Sequence, residues 1–137
     1  MGENTDIIDH LGFIVRDAKE TLKNWEKLFD VEGSIMEYDK EGVLLAAVEI
    51  NGIRFVFNEP LDKNTRWQRI LDEKGEGIEH ICFSNFDFDQ MMDKAESLGM
   101  KTLYDEPEKD TSGRRHNLIS DRDMHATKVE FKEPPVE

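Results

Sequence analysis

Two histidines stand in matching places. The stretches "IDHLGF" at residues 8 to 13 and "IEHICF" at 78 to 83 share Ile, acid, His, branched aliphatic, any residue, Phe. His10 and His80 thus each sit inside a short apolar run that reads as a strand. Either one alone is most simply a hydrogen-bonded strand histidine. As a pair, each has a small residue two positions on, Gly12 and Cys82, which leaves room above the ring. That repetition is hard to explain as packing, and neutral imidazole is the commonest metal ligand. A carboxylate to accompany them is Glu130 in "KVEF" at 128 to 131. It takes the place that Val56 holds in the first copy of the repeat, so the copies differ where an acid could complete a site. Two histidines and one carboxylate leave positions open on an octahedral ion for substrate and water. The simpler alternative is that Glu130, sharing a strand face with Lys128 and Lys132, belongs to an ordinary solvated face.

The repeat extends to the elements that must hold these residues. Each histidine strand is followed by an aspartate with Glu or Gln three residues on, Asp17 with Glu20 and Asp87 with Gln90, which is the start signal of a capped helix. Leu22, Trp25, Leu28 and Phe29 form one apolar stripe, and Phe88, Met91, Met92, Ala95 and Leu98 form the other; both read as core. "VFNEP" at 56 to 60 and "EFKEP" at 130 to 134 close the two copies. Two βαβββ modules result, one about 6–60 and one about 76–133, within a single domain of 1–137. In the first, strands are expected at Ser34–Tyr38, Val43–Ile50 and Ile53–Asn58, with "NG" at 51 to 52 as a tight hairpin turn. In the second they are expected near Lys101–Tyr104, Arg115–Ser120 and Thr127–Lys132, with a loop from Asp105 to Gly113. "NTRWQRILDEKG" reads as a linking helix capped by Asn64 or Thr65 and stopped by Gly75.

Strand alternation puts His10 with Gly12 and Ile14, and Leu11, Phe13 and Val15 on the opposite side, toward the helix. The same parity groups His80 with Cys82 and Ser84. A pseudo-twofold between the copies would bring the two histidines together.

Composition narrows the partners. With 31 acidic against 18 basic residues the formal net charge is −13, which repels polyanions, so nucleic acid is not an expected partner. No run approaches the length of a membrane helix, and the opening "MGENTDIIDH" lacks the basic flank and apolar core of a secretion signal. A cytoplasmic protein that does not engage membranes is expected. The single Cys82 excludes an internal disulfide framework and reads as a small core hydrophobe. Against the acidic field, "SGRRHN" clusters Arg114 and Arg115 beside His116. Such a cluster suits a carboxylate or phosphate of a substrate, or else is a solvated turn.

The chain resembles the vicinal oxygen chelate superfamily of glyoxalases, bleomycin-binding proteins and dioxygenases over about residues 6 to 132. The resemblance is carried by "IDHLGFIV", "EGV" at 41 to 43, "NEPL" at 58 to 61, "GEGIEHICF", "YDEP" at 104 to 107, "TSGRRHN" at 111 to 117 and "KVEF". "GEGIEHICF", "YDEP" and the Gly-Arg loop are most similar to the methylmalonyl-CoA epimerase branch. The resemblance implies an α+β fold in which two βαβββ modules form an eight-stranded half-barrel. There a divalent ion (Co, Zn, Ni, Mn or Fe(II)) chelates vicinal oxygens and stabilises an enolate while a base moves the α-proton. It also implies His10, His80 and Glu130 as metal ligands, an acyl-CoA or similar small molecule as substrate, and pairing as a homodimer.

The chain departs from that pattern at three places. Val56 stands where the epimerase and lyase branches carry a fourth ligand, Leu45 where some epimerases carry a glutamate base, and "DMHA" at 123 to 126 where the superfamily commonly has Asp-Pro-x-Gly. The leading reading is a metal-dependent epimerase or isomerase of the methylmalonyl-CoA epimerase or glyoxalase type, with Glu130, Glu49 and His116 as candidates for the catalytic base and Arg114 and Arg115 for substrate binding. A three-ligand site also suits an Fe(II) dioxygenase. The negative charge also suits a metal-free binding or resistance protein that takes a cationic ligand.

Overall fold

The computed structural model describes residues 8–38, 42–84, 86–110 and 112–134. They fall into two compact units, His10–Glu79 and Ile8–Asp9 with the residues from His80 onward. The linking helix therefore belongs with the first unit. Glu41 and Thr111, at the starts of two of the motifs, lie outside the described residues.

The first unit carries β1 (Ile8–Ile14), of which residues from His10 belong to it, then α1 (Ala18–Phe29), β2 (Ser34–Tyr38), β3 (Val43–Ile50), β4 (Ile53–Pro60) and α2 (Arg66–Lys74). Its strands lie in the order β2-β3-β4-β1, with β1 parallel to β4 and the other pairs antiparallel. Asn51 and Gly52, both at positive φ, make the turn between β3 and β4, as an Asn-Gly hairpin requires. Asp17 caps α1 by accepting from the backbone N–H of Glu20, and Thr65 caps α2 by accepting from that of Gln68.

The core of this unit lies between α1 and one sheet face. Val15, Ala18, Leu22, Leu44, Ala46, Val48 and Phe57 are buried there, with Phe13, Trp25 and Phe55 against them. Trp25 lies 5.0 to 5.7 Å from the rings of Phe13, Phe29, Phe55 and Phe57. The apolar stripe is narrower than the sequence suggests, since Leu28 is 78 % exposed. Gly33 is required by close approach: a Cβ there would come within 2.3 Å of the Ala47 carbonyl and 2.6 Å of Leu22. α2 covers the opposite face of the sheet, where Trp67 and Leu71 bury Ile14 and Val43.

The second unit carries β5 (Gly77–Phe83, from His80), α3 (Phe88–Ser97), β6 (Glu108–Lys109), β7 (Arg115–Ile119) and β8 (Lys128–Lys132). The order is β5-β8-β7-β6, with β5 parallel to β8. Asp87 caps α3 through the Gln90 N–H, and Phe88 and Ala95 are its buried residues. Leu98, expected in the same stripe, is 59 % exposed.

The strand expected at Lys101–Tyr104 is a correction. The pairing there is reduced to one bridge, Thr102 with Ile119, flanked by hydrogen bonds from the Leu103 N–H to the Leu118 carbonyl and from the Ser120 N–H to the Lys101 carbonyl. The short strand antiparallel to β7 is β6. The cause is a side chain: the Asn117 amide accepts from the Tyr104 N–H at 3.1 Å and donates to the Tyr104 carbonyl at 3.0 Å. With both backbone groups of Tyr104 taken, the ladder stops there.

Candidate metal and substrate site

In the second unit, His80, Cys82 and Ser84 alternate onto one face of the β5 segment and are buried at 7 %, 0 % and 1 % exposure. β8 lies between β5 and β7. Glu130 is opposite Cys82 on one side and Leu118 on the other, and Lys128 is opposite His80. Lys128 and Glu130 are both buried. This rules out the simpler alternative of an ordinary solvated face for Lys128 and Glu130. Buried polar side chains of this kind must be paired within the protein.

Glu130 divides its carboxylate between two histidines. Oε1 lies 3.3 Å from His80 Nε2, and Oε2 lies 2.7 Å from His116 Nδ1. The His116 contact is a hydrogen bond, and because an ionised carboxylate only accepts, Nδ1–H is its donor. The approach of His80 to Oε1 is an ion-pair distance and not a hydrogen bond. The Tyr104 ring meets the His116 ring edge-on, 5.7 Å between centroids.

The donor set fits a cation. Two ligand atoms at right angles on an ion with bonds of about 2.1 Å stand about 3 Å apart, close to the 3.3 Å between His80 Nε2 and Glu130 Oε1. Oε1 is buried and accepts no hydrogen bond from the described residues, so an ion there would satisfy it. Cys82, beside them, stays a thiol: burial pushes its pKa far up, and the charge of Glu130 adds to this.

A lysine lies close enough to the carboxylate to feel its charge. Burial works against the charge on Lys132, but the carboxylates of Glu130, Asp9 and Asp110 outweigh it and raise its pKa. Its Nζ lies 3.2 Å from Asp110 Oδ2. Asp110 also organises the loop that precedes β7, accepting from the Ser112 hydroxyl and N–H and from the Arg114 N–H. Burial raises the Asp110 pKa, but the Ser112 hydroxyl and Lys132 outweigh it and hold the carboxyl at about 2. Sequence reasoning missed Lys132 and Asp110 as parts of this network. The available signal was the alternation Lys128, Glu130, Lys132, which puts all three on one strand face.

Arg114 and Arg115 both have acidic partners within the chain. Arg114 Nη2 lies 2.9 Å from Asp9 Oδ1, and its Nε donates to the Glu133 carbonyl at 2.6 Å. Arg115 reaches both Asp89 oxygens at 3.1 and 3.2 Å and Glu133 Oε2 at 3.1 Å. Its guanidinium lies 4.9 Å over the Phe88 ring.

In the first unit, strand register places the remaining residues in rows across one face. His10, buried at 9 % exposure, is opposite Arg54, which is opposite Glu49. Gly12, Val56 and Ala47 form the next row, and Ile14, Asn58 and Leu45 the one after. Glu49 therefore shares the face of His10, a point that strand parity alone left open. Val56 and Ala47 are buried, and neither Leu45 nor Val56 supplies an oxygen.

A family model described as the Glyoxalase/Bleomycin resistance protein/Dioxygenase superfamily matches residues 9–117. The chain belongs to that superfamily. Its α+β fold of two βαβββ modules is the vicinal oxygen chelate fold. Among solved structures, it is similar to methylmalonyl-CoA epimerase from Mycobacterium tuberculosis, with 22% identity, a TM-score of 0.82, and coverage of 98% of this chain and 94% of that one. It is also similar to a variant of the Streptomyces coelicolor methylmalonyl-CoA epimerase in complex with 2-nitronate-propionyl-CoA, with 25% identity, a TM-score of 0.83, and coverage of 97% and 100%. Among curated proteins, YqjC of Bacillus subtilis (strain 168) is 24% identical over 130 residues, 93% of this chain and 91% of that protein. No helix among the described residues is long and apolar enough to cross a membrane.

Proposed function

We propose that this chain is a metal-dependent epimerase or isomerase that moves the α-proton of an acyl-CoA or similar 2-substituted acid. The observation that carries the reading is the buried convergence of His80 Nε2 and Glu130 Oε1 at 3.3 Å. His10, the matching histidine of the first module, is proposed as the third ligand of one divalent ion. When bound, the ion would polarise the substrate carbonyl and stabilise the enolate that proton removal creates.

The protein's own groups would do the rest. The apolar row of Gly12, Val56 and Ala47 would exclude water from the acyl chain. Arg114 and Arg115 are proposed to face the anionic part of the substrate, and Arg115, with its guanidinium one-third exposed at 34 %, is the more reachable. Glu49 and His116 are the groups proposed to take the proton. Glu49 stands in the row of His10. His116 keeps Nε2 for this task while Nδ1 holds Glu130. A homodimer in the cytoplasm remains part of the proposal.

A second reading, an Fe(II) dioxygenase, is favoured by Val56, which leaves a three-ligand set with more open positions. Elemental analysis of untagged protein, followed by incubation of the metal-loaded protein with a 2-methyl-branched acyl-CoA in deuterium oxide, tests the proposal. Deuterium entering the α-carbon, with no oxygen consumed, is the expected result. Oxygen consumption without exchange supports the dioxygenase instead. Protein that takes up no divalent ion, at unchanged fold, leaves the metal-free binding protein.

A further inference from the structure

We infer that His116 is a positioning residue for Glu130, holding one carboxylate oxygen so that the other is presented alone to the metal. The inference rests on the metal-ligand role proposed for Glu130. It goes beyond that reading by assigning a task to a side chain outside the ligand set.

The geometry divides the carboxylate between two partners. His116 Nδ1 and Glu130 Oε2 are 2.7 Å apart, and His80 faces the other oxygen at 3.3 Å. Both residues are fixed from outside the pair. Glu130 lies on β8 between β5 and β7, and the His116 backbone is paired on both sides, with Glu108 of β6 and Lys132 of β8. Tyr104 packs edge-on against the ring, and the Asn117 amide holds Tyr104 by both its backbone N–H and its carbonyl. The imidazole is therefore held in orientation as well as in position.

A free carboxylate can ligate an ion through one oxygen or two. With Oε2 engaged by a ring N–H, Glu130 is restricted to Oε1, which leaves one more coordination position for the vicinal oxygens of a substrate. Groups of this kind orient a ligand and raise metal affinity without touching the ion.

The test is titration of the metal-free protein with Co(II), read by its d–d absorption, on the wild type and on His116→Phe, His116→Asn and His80→Ala. His116→Phe keeps the aromatic contact with Tyr104 and loses the donor, whereas the Asn side-chain amide can place an N–H near the position of Nδ1. Affinity for cobalt is expected to fall about 10- to 100-fold in His116→Phe, with a changed absorption band as Glu130 becomes free to use both oxygens. His116→Asn is expected to restore the wild-type spectrum and most of the affinity. Far-UV circular dichroism and thermal unfolding establish that each variant is folded. Wild-type affinity and spectrum in a folded His116→Phe would overturn the inference while His80→Ala still lost the ion, leaving the metal reading standing. Failure of His116→Asn to recover any of the loss would also overturn it, since the lost donor would then not be the cause. Should wild type and His80→Ala alike take up no cobalt, the metal reading falls, and the positioning role falls with it.

Discussion

Arg114 reaches back across 105 residues of sequence to Asp9, with Nη2 2.9 Å from Oδ1. Both side chains are mostly buried, at 13 % and 15 % exposure. The next residue, Arg115, pairs with two carboxylates, but its own side chain is 34 % exposed and its partners Asp89 and Glu133 are 71 % and 32 % exposed. Two adjacent arginines thus carry different energetic weight. Breaking a buried pair leaves a charge without its counter-charge, whereas an exposed pair is screened by water. Arg114→Ala is expected to destabilise the fold by about 2–3 kcal/mol, and Arg115→Ala by less than about 1 kcal/mol, both measured by urea unfolding. If Arg115 binds the substrate anion as proposed, its loss weakens binding by about 1.5–3 kcal/mol at nearly unchanged stability. The reverse order of stabilities would mean that the Asp9 contact contributes little to folding.

Asp110 gives a pH-dependent prediction. Its folded-state carboxyl titrates at about 2 against an ordinary value of 3.8. A group whose pKa is depressed by folding contributes stability that is fully present above its unfolded pKa and is lost as pH falls through the folded one. The contribution is therefore constant above about pH 5 and disappears between about pH 4 and 2. Asp110→Asn is expected to cost about 1–2 kcal/mol at neutral pH after allowance for partial exposure. Unfolding curves of wild type and variant should converge in acid. A difference that stayed constant down to pH 2 would show that the loop depends on the shape of the side chain and not on its charge.

Much of the first module was legible in sequence because its signals are local. Asp17, Thr65 and the Asn51-Gly52 turn act within four residues of themselves, and the structure uses each as read. The second module was less legible because its decisive contacts are long-range. Asn117 ends the strand expected at Lys101–Tyr104 by taking the backbone of Tyr104, and nothing local in an asparagine announces that. The burial of the Glu130 face was not legible for a related reason: alternation says which residues share a face, but whether water reaches that face depends on what packs over it. Within the candidate site, the meeting of His80 with Glu130 follows from strand pairing, whereas the His116 contact comes from β7 crossing back antiparallel to β8.

Val56 allows the metal reading to be probed by adding a group. It is buried at 6 % exposure in the row of Gly12 and Ala47, so a glutamate there reaches an ion or is stranded without water. A metal bond stabilises the new carboxylate, whereas stranding it costs several kcal/mol. Val56→Glu is expected to bind a divalent ion about 10-fold more tightly, measured by competition with a chelator, and to be markedly less stable after the ion is removed. Loss of stability with no gain in affinity would place Val56 in packing away from the ion, and would show that the two copies of the repeat have been aligned out of register.

The turn before β8 yields a prediction independent of any metal. His125 and Ala126 both have positive φ, at 56° and 85°, where the superfamily pattern would supply a glycine at the second position. An L-residue with a Cβ is strained in this region by about 1–2 kcal/mol, whereas glycine adopts it freely. The conformation persists because the backbone around it is bonded: the Ala126 N–H donates to the Asp121 carbonyl at 2.8 Å and the Met124 N–H to the Ser120 carbonyl at 3.2 Å. Replacing Ala126 by Gly removes the strain but gives the unfolded chain more conformations to lose, so the two effects oppose each other. The steric term is the larger at this φ. Ala126→Gly is expected to stabilise the protein by about 0.5–1 kcal/mol, raising the urea midpoint without changing the slope of the transition. Met124→Ala serves as the control, since a change beside the turn that leaves the Ala126 conformation alone should not be stabilising. Destabilisation by Ala126→Gly would mean that the Ala126 methyl contributes packing worth more than the strain it causes.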